Sequence, residues 1–313
     1  MKKVLVTCPP MLRMIEHFRP MMEEKNWKLT TPNVVQIMSE DELLSIVPEH
    51  DGWIIGDDPA NAKVFEAGVS GKLKAAVKWG VGVDNVDFAA AKRLNLPISN
   101  TPMMFGNEVA DVGLGYVLML SRQLHRIDQA VRKNEWLKPR GHSTIGKKAG
   151  VIGFGDIGKN VVKRLNAFGM DVHVYDPFYK ADPNFSYVKN YAWPENVGQC
   201  DFLIFTCALN LQNRHMLNRD VLDKCKKGVS IINIARGPLI CEADLIEALK
   251  SGHVGSAGLD VFEIEPLPSA SPLRSFENVI LGSHNGSNTQ EAVERATLRA
   301  IDLLDGFFKE RGL

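Results

Sequence analysis

Apolar residues in the first hundred positions fall into short runs, and stretches with the spacing of amphipathic helices separate these runs. The runs lie at residues 4–6, 34–37, 53–55 and 75–79. Runs of this length predict β-strands. Their alternation with helices is typical of a parallel α/β sheet, because parallel neighbours need a crossover connection.

A second series of apolar runs predicts a larger sheet of the same class. Its members lie at residues 149–152, 172–175, 202–205, 230–234, 257–259 and 279–281. These runs are continuously apolar, as expected for strands that helices cover on both faces. The sequence therefore predicts an α/β protein with two Rossmann-like or flavodoxin-like parallel sheets.

Two helical patterns are expected to join the two sheets. A long connecting helix over residues 107–136 is predicted by apolar residues at helical spacing, namely Val109, Val112, Tyr116, Val117 and Leu120. Ser287 and Gln290 form a capping-box pattern, which predicts the start of a terminal helix that packs on the first sheet. The expected domains are residues 1–99 with 285–313 and residues 100–284, with a cleft between them.

Composition and charge favour a globular protein with a small-molecule partner. Of the 313 residues, 45% are apolar and 24% are charged, and the 37 basic and 37 acidic residues cancel. We therefore expect no surface for nucleic acid or for anionic membranes. No apolar run approaches the roughly 18 residues that a membrane span needs, and the run after Met1 is too short for an export signal. A cytoplasmic location is expected.

The cysteines and histidines show no local spacing that predicts a disulfide framework or a metal site. The five cysteines are odd in number and lack a CxxC motif, and the eight histidines lack an HExxH motif. We expect reduced thiols and no metal ion.

The sequence GFGDIG at residues 153–158 follows an apolar run and precedes a helical pattern. Gly153 allows a tight turn, Gly155 lets the backbone approach a pyrophosphate, and Gly158 lets helix and strand pack closely. The helix N-terminus then faces the phosphates. This context predicts a dinucleotide site that includes Asp156 and Ile157 of the same turn.

Asp176 ends the next predicted strand, where an acid is expected to accept hydrogen bonds from the adenine-ribose hydroxyls. A surface aspartate near a helix-capping turn is the alternative interpretation. The order of strand, glycines, helix, strand and acid favours the nucleotide site. No basic residue adjoins Asp176, so NAD is predicted in preference to NADP.

Polar residues follow three later strands, at the edge of a parallel sheet where ligands bind. Arg236, Glu265 and His284 are the candidates. Reduction of a 2-keto acid needs a cation for the carboxylate, a proton donor for the carbonyl oxygen and a group that tunes the donor, and these residue types supply all three. Glu263 competes with Glu265 as the tuning acid.

With these motifs, the chain resembles the D-isomer-specific 2-hydroxyacid dehydrogenase family over nearly its whole length. The motifs are the glycine turn, INIARGP at residues 232–238, DVFEIEP at 260–266, SHNGS at 283–287 and WGVGVDNVD at 79–87. The resemblance implies NAD-dependent hydride transfer between the nicotinamide and C2 of a small D-2-hydroxy acid or 2-keto acid. It also implies that residues 100–284 bind NAD and that residues 1–99 with 285–313 bind substrate.

The resemblance further implies individual roles. Arg236 binds the substrate carboxylate and carbonyl, His284 is the acid/base, and Glu265 hydrogen-bonds His284 and favours its imidazolium form. Backbone N–H groups at Val81 and Gly82 contact the carboxylate. The remaining cofactor contacts that it implies are Ile234 and Asp260 near the nicotinamide, Cys207 and Ala208 near the adenosine, and Val109 on the connecting helix. Family members are commonly homodimers.

Two alternatives stay open: a phosphoglycerate dehydrogenase, and a non-catalytic NAD-binding protein of the corepressor type. Phosphoglycerate relatives usually carry a basic, hydroxyl-rich segment where this chain has Asp57 and Asp58. We expect these two carboxylates to repel a substrate phosphate. A formate oxidase is disfavoured, since it would have Gln in place of Glu265. No appended regulatory domain is expected after residue 313.

Overall fold

The computed structural model describes residues 1–312. Contacts along the chain divide it into two compact units, Met1–Met104 with Asn288–Leu313 and Phe105–Ser287. The sequence-based boundaries, after residues 99 and 284, fall five and three residues before these divisions.

The first unit is built on a five-stranded parallel sheet. Its strands are β1 (Lys2–Val6), β2 (Trp27–Thr30), β3 (Gly52–Ile55), β4 (Ala75–Lys78) and β5 (Ile98–Asn100), and its first helices are α1 (Pro9–Arg13), α2 (Ile15–Glu24), α3 (Glu40–Ile46), α4 (Ala62–Ser70) and α5 (Phe88–Arg93). The strand order is β2-β1-β3-β4-β5, and every neighbouring pair is parallel. This is the order of a flavodoxin-like sheet.

The second unit is built on a seven-stranded parallel sheet. Its strands are β6 (Lys148–Ile152), β7 (Asp171–Tyr175), β8 (Lys189–Asn190), β9 (Phe202–Phe205), β10 (Val229–Asn233), β11 (Val254–Leu259) and β12 (Val279–Leu281), and its helices are α6 (Gly106–Arg122), α7 (Leu124–Arg132), α8 (Asp156–Ala167), α9 (Arg219–Leu222) and α10 (Glu242–Lys250). The strand order is β12-β11-β10-β9-β6-β7-β8. The order reverses between β6 and β9, which is the point where ligands bind in open α/β sheets.

The terminal helix α11 (Gln290–Glu310) covers β3 and β4 of the first sheet, as predicted. The indole nitrogen of Trp79 donates to the hydroxyl of Thr297 at 3.1 Å. Phe308 packs edge-on against Trp27, and a Cβ at Gly52 would lie 2.7 Å from the Phe308 ring. Glycine at this position therefore lets the helix approach the sheet.

Each sheet has its own hydrophobic core. Leu5, Trp53 and Phe65 are fully buried in the first unit, and Leu203 and Phe205 are fully buried in the second. Burial of one such side chain stabilises the fold by roughly 1.5–3 kcal/mol. These cores confirm the predicted fold class of two parallel-sheet α/β domains. Within residues 1–312, no helix is both long and apolar enough to cross a membrane.

Three sequence-based assignments of elements are wrong. Residues 34–37 do not form a strand; Val35 is 76% exposed, and the strand beside β1 is β2, anchored by buried Trp27. The connecting helix is broken at Gln123, whose left-handed φ of 54° separates α6 from α7. The N-cap of α11 is Thr289, which accepts from Ala292 N at 3.2 Å, and Ser287 does not cap it.

Candidate active site

The glycine turn joins β6 to α8 at the point where the strand order reverses. Gly153 has a φ of +99°, and a Cβ there would lie 2.7 Å from the backbone nitrogen of Cys207. A Cβ at Gly158 would lie 2.1 Å from the carbonyl oxygen of Gly153. These glycines are required by packing within the protein. At Gly155 a Cβ would meet no described atom within 4 Å, so the turn leaves open space there for a ligand.

Asp176 lies at the end of β7 and ties that strand to the glycine turn. Its carboxylate accepts from Phe154 N at 2.6 Å and from Phe178 N at 2.7 Å. The fixed carboxylate therefore stands beside the turn, in the position where a Rossmann sheet contacts the adenine ribose. Cys207 and Ala208 follow β9 on the other side of the switch point. Burial raises the pKa of the Cys207 thiol to about 12, which disfavours the nucleophilic thiolate form.

Asp156 and Ile157 open α8, next to the start of α6. A Cβ at Gly106 would lie 2.4 Å from the Asp156 carboxylate, so the glycine at the first position of α6 is needed for this contact. Asn160 donates to the carbonyl oxygen of Asp156 at 2.9 Å. The Asp156 side chain therefore lies between the N-terminal ends of α6 and α8.

His284 and Glu265 are in direct contact. Nδ1 of His284 lies 2.7 Å from Oε2 of Glu265, and the two side chains are 23% and 20% exposed. The other oxygen of Glu265 accepts from Phe262 N at 2.9 Å. Glu263 lies elsewhere, with Oε1 3.0 Å from Nε2 of His215. Of the two candidate acids, Glu265 is the one that contacts His284.

The backbone of His284 adopts a left-handed φ of 53°, a conformation that costs a non-glycine residue free energy and clusters at functional sites. His284 N donates to the carbonyl oxygen of Asp260 at 2.7 Å. The Asp260 carboxylate accepts from Asn285 N at 3.2 Å and from Gly286 N at 2.8 Å. Asp260 therefore holds the loop that carries the histidine.

Tyr116 of α6 forms a hydrogen bond to Asp260, the residue that holds this loop. Burial and the hydrogen bond to Asp260 raise the pKa of the Tyr116 hydroxyl. A Cβ at Gly282 would lie 2.3 Å from Oδ1 of Asp260 and 2.5 Å from the Tyr116 oxygen. Close approach of Tyr116 and Asp260 thus depends on glycine at position 282. This role of Tyr116 could not be predicted from the sequence, where Tyr116 is one of the apolar residues at helical spacing.

Arg236 follows β10 and is fixed by Asn233, a second residue that the sequence analysis missed. Asn233 is buried; its amide donates to the carbonyl oxygen of Arg236 at 2.8 Å and accepts from Ala235 N at 3.1 Å. Nη1 of Arg236 donates to Ala235 O at 2.7 Å. A Cβ at Gly237 would lie 1.9 Å from the backbone of Phe262. The arginine segment is therefore locked against the segment that carries Glu265.

Val109 belongs to α6, and Ile234 packs against the same helix at Gly113. A Cβ at Gly286 would lie 3.6 Å from Val109, and a Cβ at Gly113 would lie 2.8 Å from Ile234. Val109 therefore lies beside the loop that carries His284, and Ile234 lies about one turn further along α6.

Val81 and Gly82 belong to the first unit and follow β4. The loop is shaped by Gly80, which has a φ of +125° and donates its N–H to the Thr101 hydroxyl at 2.8 Å. The carbonyl oxygen of Val81 accepts from Asn100 at 3.1 Å. The loop is therefore braced by β5 and the segment that follows it.

The expectation that Asp57 and Asp58 both repel a phosphate is wrong for Asp58. This side chain is fully buried and accepts from Thr7, Met38 N and Gly56 N. Burial raises the pKa of its carboxyl. Asp57 pairs at 2.9 Å with Lys78, whose side chain is buried, so its charge is offset.

Comparisons with known proteins give the family. A family model described as the NAD-binding domain of D-isomer specific 2-hydroxyacid dehydrogenase matches residues 114–286. Hydroxypyruvate reductase from Thermotoga maritima is 35% identical over 304 residues, which cover 94% of this chain and 97% of that protein. The apo-structure of D-lactate dehydrogenase from Escherichia coli has a TM-score of 0.84 and 28% identity, and the match covers 100% of this chain and 98% of that one.

D-3-phosphoglycerate dehydrogenase from Methanocaldococcus jannaschii is 34% identical over 301 residues. The match covers 95% of this chain and 55% of that protein, so the chain spans about half the length of this relative. The family model and the full-length similarity to hydroxypyruvate reductase establish NAD as the cofactor and a dehydrogenase as the class of enzyme. The chain belongs to the D-isomer specific 2-hydroxyacid dehydrogenase family.

Proposed function

We propose that the protein interconverts a small 2-keto acid and the corresponding D-2-hydroxy acid, with His284 as the proton donor and acceptor. In the direction of reduction, bound NADH supplies the hydride that goes to C2. His284 gives a proton to the carbonyl oxygen, which becomes the hydroxyl of the product. In the direction of oxidation, neutral His284 takes that proton back.

The observation that carries this proposal is the 2.7 Å contact between His284 Nδ1 and Glu265 Oε2. A carboxylate accepts a hydrogen bond only from a protonated Nδ1, so Nε2 is the atom that gains and loses the catalytic proton. Phe262 N holds the Glu265 carboxylate, and the carbonyl oxygen of Asp260 holds the backbone of His284. These contacts keep Nε2 in one place.

Arg236 is the proposed carboxylate-binding residue. Its guanidinium can make two parallel hydrogen bonds to a carboxylate and its neighbouring carbonyl oxygen, which orients C2 and polarises the carbonyl. The hydrogen bonds of Asn233 and the tight packing at Gly237 support this role, because they fix the backbone from which Arg236 extends. Backbone N–H groups of Val81 and Gly82 are proposed to contact the same carboxylate.

The residues beside β6 fit NAD. Open space at Gly155 suits the pyrophosphate, and the Asp176 carboxylate suits the ribose hydroxyls. We assign Gly153, Asp156, Ile157 and Gly158 to the turn around the phosphates. The other proposed contacts are Cys207 and Ala208 at the adenosine, and Ile234, Asp260 and Val109 toward the nicotinamide.

The test is oxidation of NADH with glyoxylate, pyruvate, hydroxypyruvate and larger 2-keto acids. We expect turnover with at least one of them and a loss of about 100-fold or more in kcat for His284→Gln, as for removal of a general acid. NADH binding without turnover of any 2-keto acid would contradict the proposal and favour the corepressor-like alternative.

We propose that the preferred substrate carries no phosphate. Full-length similarity to a hydroxypyruvate reductase supports this choice, and so does the pairing of the Lys78 ammonium with Asp57 and the Trp79 carbonyl oxygen. A phosphate would have to compete for a cation that is already paired. Side-by-side kinetics should give hydroxypyruvate a higher kcat/KM than 3-phosphohydroxypyruvate. The reverse order, by tenfold or more, would identify the chain as a phosphoglycerate dehydrogenase.

We further propose a cytoplasmic homodimer that forms through the second unit. All five cysteines are free, as in a reducing compartment. Trp136 is 79% and Ile145 is 77% exposed, and both lie between α7 and β6. A second copy of the chain that covers them would remove apolar surface from water. Light scattering should give twice the chain mass of 34.7 kDa, and a monomer would contradict this proposal.

A further inference from the structure

Three side chains that can bind a metal ion meet outside the candidate active site. They are His215, Cys241 and Glu263, and their ligand atoms all lie within 4.8 Å of one another. The three residues come from three separate segments of the second unit. The chain has no CxxC or HExxH motif, and this cluster forms only when the folded chain brings separate segments together.

Backbone hydrogen bonds hold the first two segments together. His215 N donates to Pro238 O at 2.8 Å, and Cys241 N donates to Leu217 O at 2.8 Å. Leu217 and Ile240 form an isolated parallel bridge between these contacts. The His215 and Cys241 side chains therefore start from backbones whose separation is fixed.

The third segment is tied to the second in the same way. Glu242 N donates to Oε1 of Glu263 at 2.9 Å, and Glu263 N donates to Oε2 of Glu242 at 3.3 Å. Phe262, next to Glu263, packs against Gly237 with no room for a Cβ. The three segments that carry the ligands are thus held together before any ion binds, which lowers the entropic cost of binding.

The surroundings of Nε2 of His215 indicate that this atom binds a ligand. It is shielded from solvent and makes no hydrogen bond to the described residues, although Oε1 of Glu263 lies 3.0 Å away. The distance between these two atoms is short enough for a hydrogen bond, but their orientation does not allow one. In a metal site, both lone pairs point to the ion and not to each other, which gives this geometry.

We propose that His215, Cys241 and Glu263 bind a divalent cation of the Zn²⁺ type, with the fourth position open to water. Thiolate and imidazole ligands select Zn²⁺ over Mg²⁺ and Ca²⁺, which prefer oxygen. A thiolate and a carboxylate together balance the charge of the ion. Tetrahedral Zn²⁺ with bond lengths of about 2.0–2.3 Å places its ligand atoms roughly 3.3–3.6 Å apart. The three ligand atoms lie within 4.8 Å of one another, so the side chains must rotate to reach these separations.

The cation has a structural role in this segment. Glu263 is two residues from Glu265, and Phe262 N donates to Glu265 at 2.9 Å. An ion that links Glu263 to His215 and Cys241 fixes the stretch from which Glu265 reaches His284. The site is separate from the proposed proton transfer, since Glu265, which is not one of the three ligands, is the acid that contacts Nδ1 of His284.

The test uses full-length protein that has been treated with a chelator and then titrated with Co²⁺ and Zn²⁺. We expect one ion per chain, an intense visible spectrum of tetrahedral Co²⁺ and a thiolate-to-cobalt charge-transfer band. Cys241→Ser should abolish that band, and Cys241→Ser and His215→Gln should each weaken Zn²⁺ binding by about tenfold or more in competition with a chromophoric chelator. Matched controls are Cys225→Ser and His142→Gln, which change the same residue types away from the cluster.

A second measurement uses the thermal stability of each folded variant. Zn²⁺ should raise the Tm of the wild type and of both control variants, and at the same concentration it should raise the Tm of Cys241→Ser by less. The proposal is overturned if wild-type protein binds no ion more tightly than Cys241→Ser does. It is also overturned if the charge-transfer band persists in Cys241→Ser, because another cysteine would then be the ligand.

Discussion

The contact between Glu265 and His284 allows the effect of Glu265→Gln to be worked out in advance. The change keeps the shape of the side chain and removes its negative charge. Reduction of a keto acid needs imidazolium at His284, whereas oxidation of a hydroxy acid needs the neutral ring. Wild-type reduction should therefore fade as pH rises, and oxidation should fade as pH falls.

The size of the effect follows from the 2.7 Å distance between Nδ1 and Oε2 and from the low exposure of both side chains. A hydrogen bond between charged partners contributes about 1.5–3 kcal/mol. The bare Coulomb energy of two unit charges at this distance is about 6 kcal/mol for an effective dielectric constant of 20, which is an upper bound. Because about 1.4 kcal/mol corresponds to one pH unit, loss of the charge should move the profile by about 1–2 pH units.

The assay is the pH profile of kcat/KM for keto-acid reduction, measured at saturating NADH. The falling limb of Glu265→Gln should lie about 1–2 pH units below that of the wild type, because the ring loses its proton more easily. Glu263→Gln, compared with the other proteins after treatment of all of them with a chelator, is the matched comparison in the same segment. Its falling limb should stay in place, since Glu263 contacts His215 instead.

A falling limb that does not move in Glu265→Gln would refute this reasoning. A limb that moves in Glu263→Gln and stays in Glu265→Gln would show that the other acid tunes the histidine. A shift to higher pH would mean that Glu265 does not favour the imidazolium form at all.

Four further outcomes are expected. Wild-type enzyme should prefer NADH to NADPH by about tenfold or more, and Asp176→Ser should narrow this ratio, because a 2′-phosphate meets a carboxylate there; a wild type that prefers NADPH would contradict this. Arg236→Lys should lower kcat/KM for keto acids by about tenfold or more and leave NADH affinity nearly unchanged, since Lys lacks the planar fork; equal losses would indicate a structural role. Tyr116→Phe removes one hydrogen bond from the buried Asp260 carboxylate and should lower the free energy of unfolding by about 1–3 kcal/mol and also kcat; an unchanged melting curve and kcat would exclude a positioning role. Burial lowers the pKa of His173, so stability should fall as pH drops below its ordinary value of 6.5, and His173→Gln should reduce this loss in denaturant unfolding; an identical pH dependence would assign the loss to other groups.

The two sheets could be predicted because a buried parallel strand is an apolar run that can be recognised without its neighbours. The edge strand β2 could not be predicted in this way. Its four residues include exposed Lys28, and it becomes a strand by pairing with β1. Residues 34–37 look like a strand by composition, but Pro32 precedes them, and they pair with no described strand.

The residues of the candidate site could be predicted from the sequence because each belongs to a local motif. Examples are Arg236, near Asn233, and Glu265, before Pro266. What the sequence could not show is which groups touch across segments. The Tyr116 hydroxyl reaches Asp260 from a helix that is more than 140 positions earlier in the chain. Burial of Asp58 likewise depends on Thr7 and Met38, which arrive from other segments. Such roles depend on tertiary packing, which local periodicity does not encode.

The division of the first unit into Met1–Met104 and Asn288–Leu313 has a consequence for the order of folding during synthesis. The second unit is continuous, and it can complete its own sheet as soon as residue 287 has left the ribosome. The first sheet must wait, because the face of β3 and β4 that α11 covers stays open to water until the helix has been made. During that interval Gly52, Trp27 and Trp79 lack the side chains of Leu304, Phe308 and Thr297. The nascent chain therefore keeps an apolar surface exposed to water until α11 has been made and has docked on the first sheet.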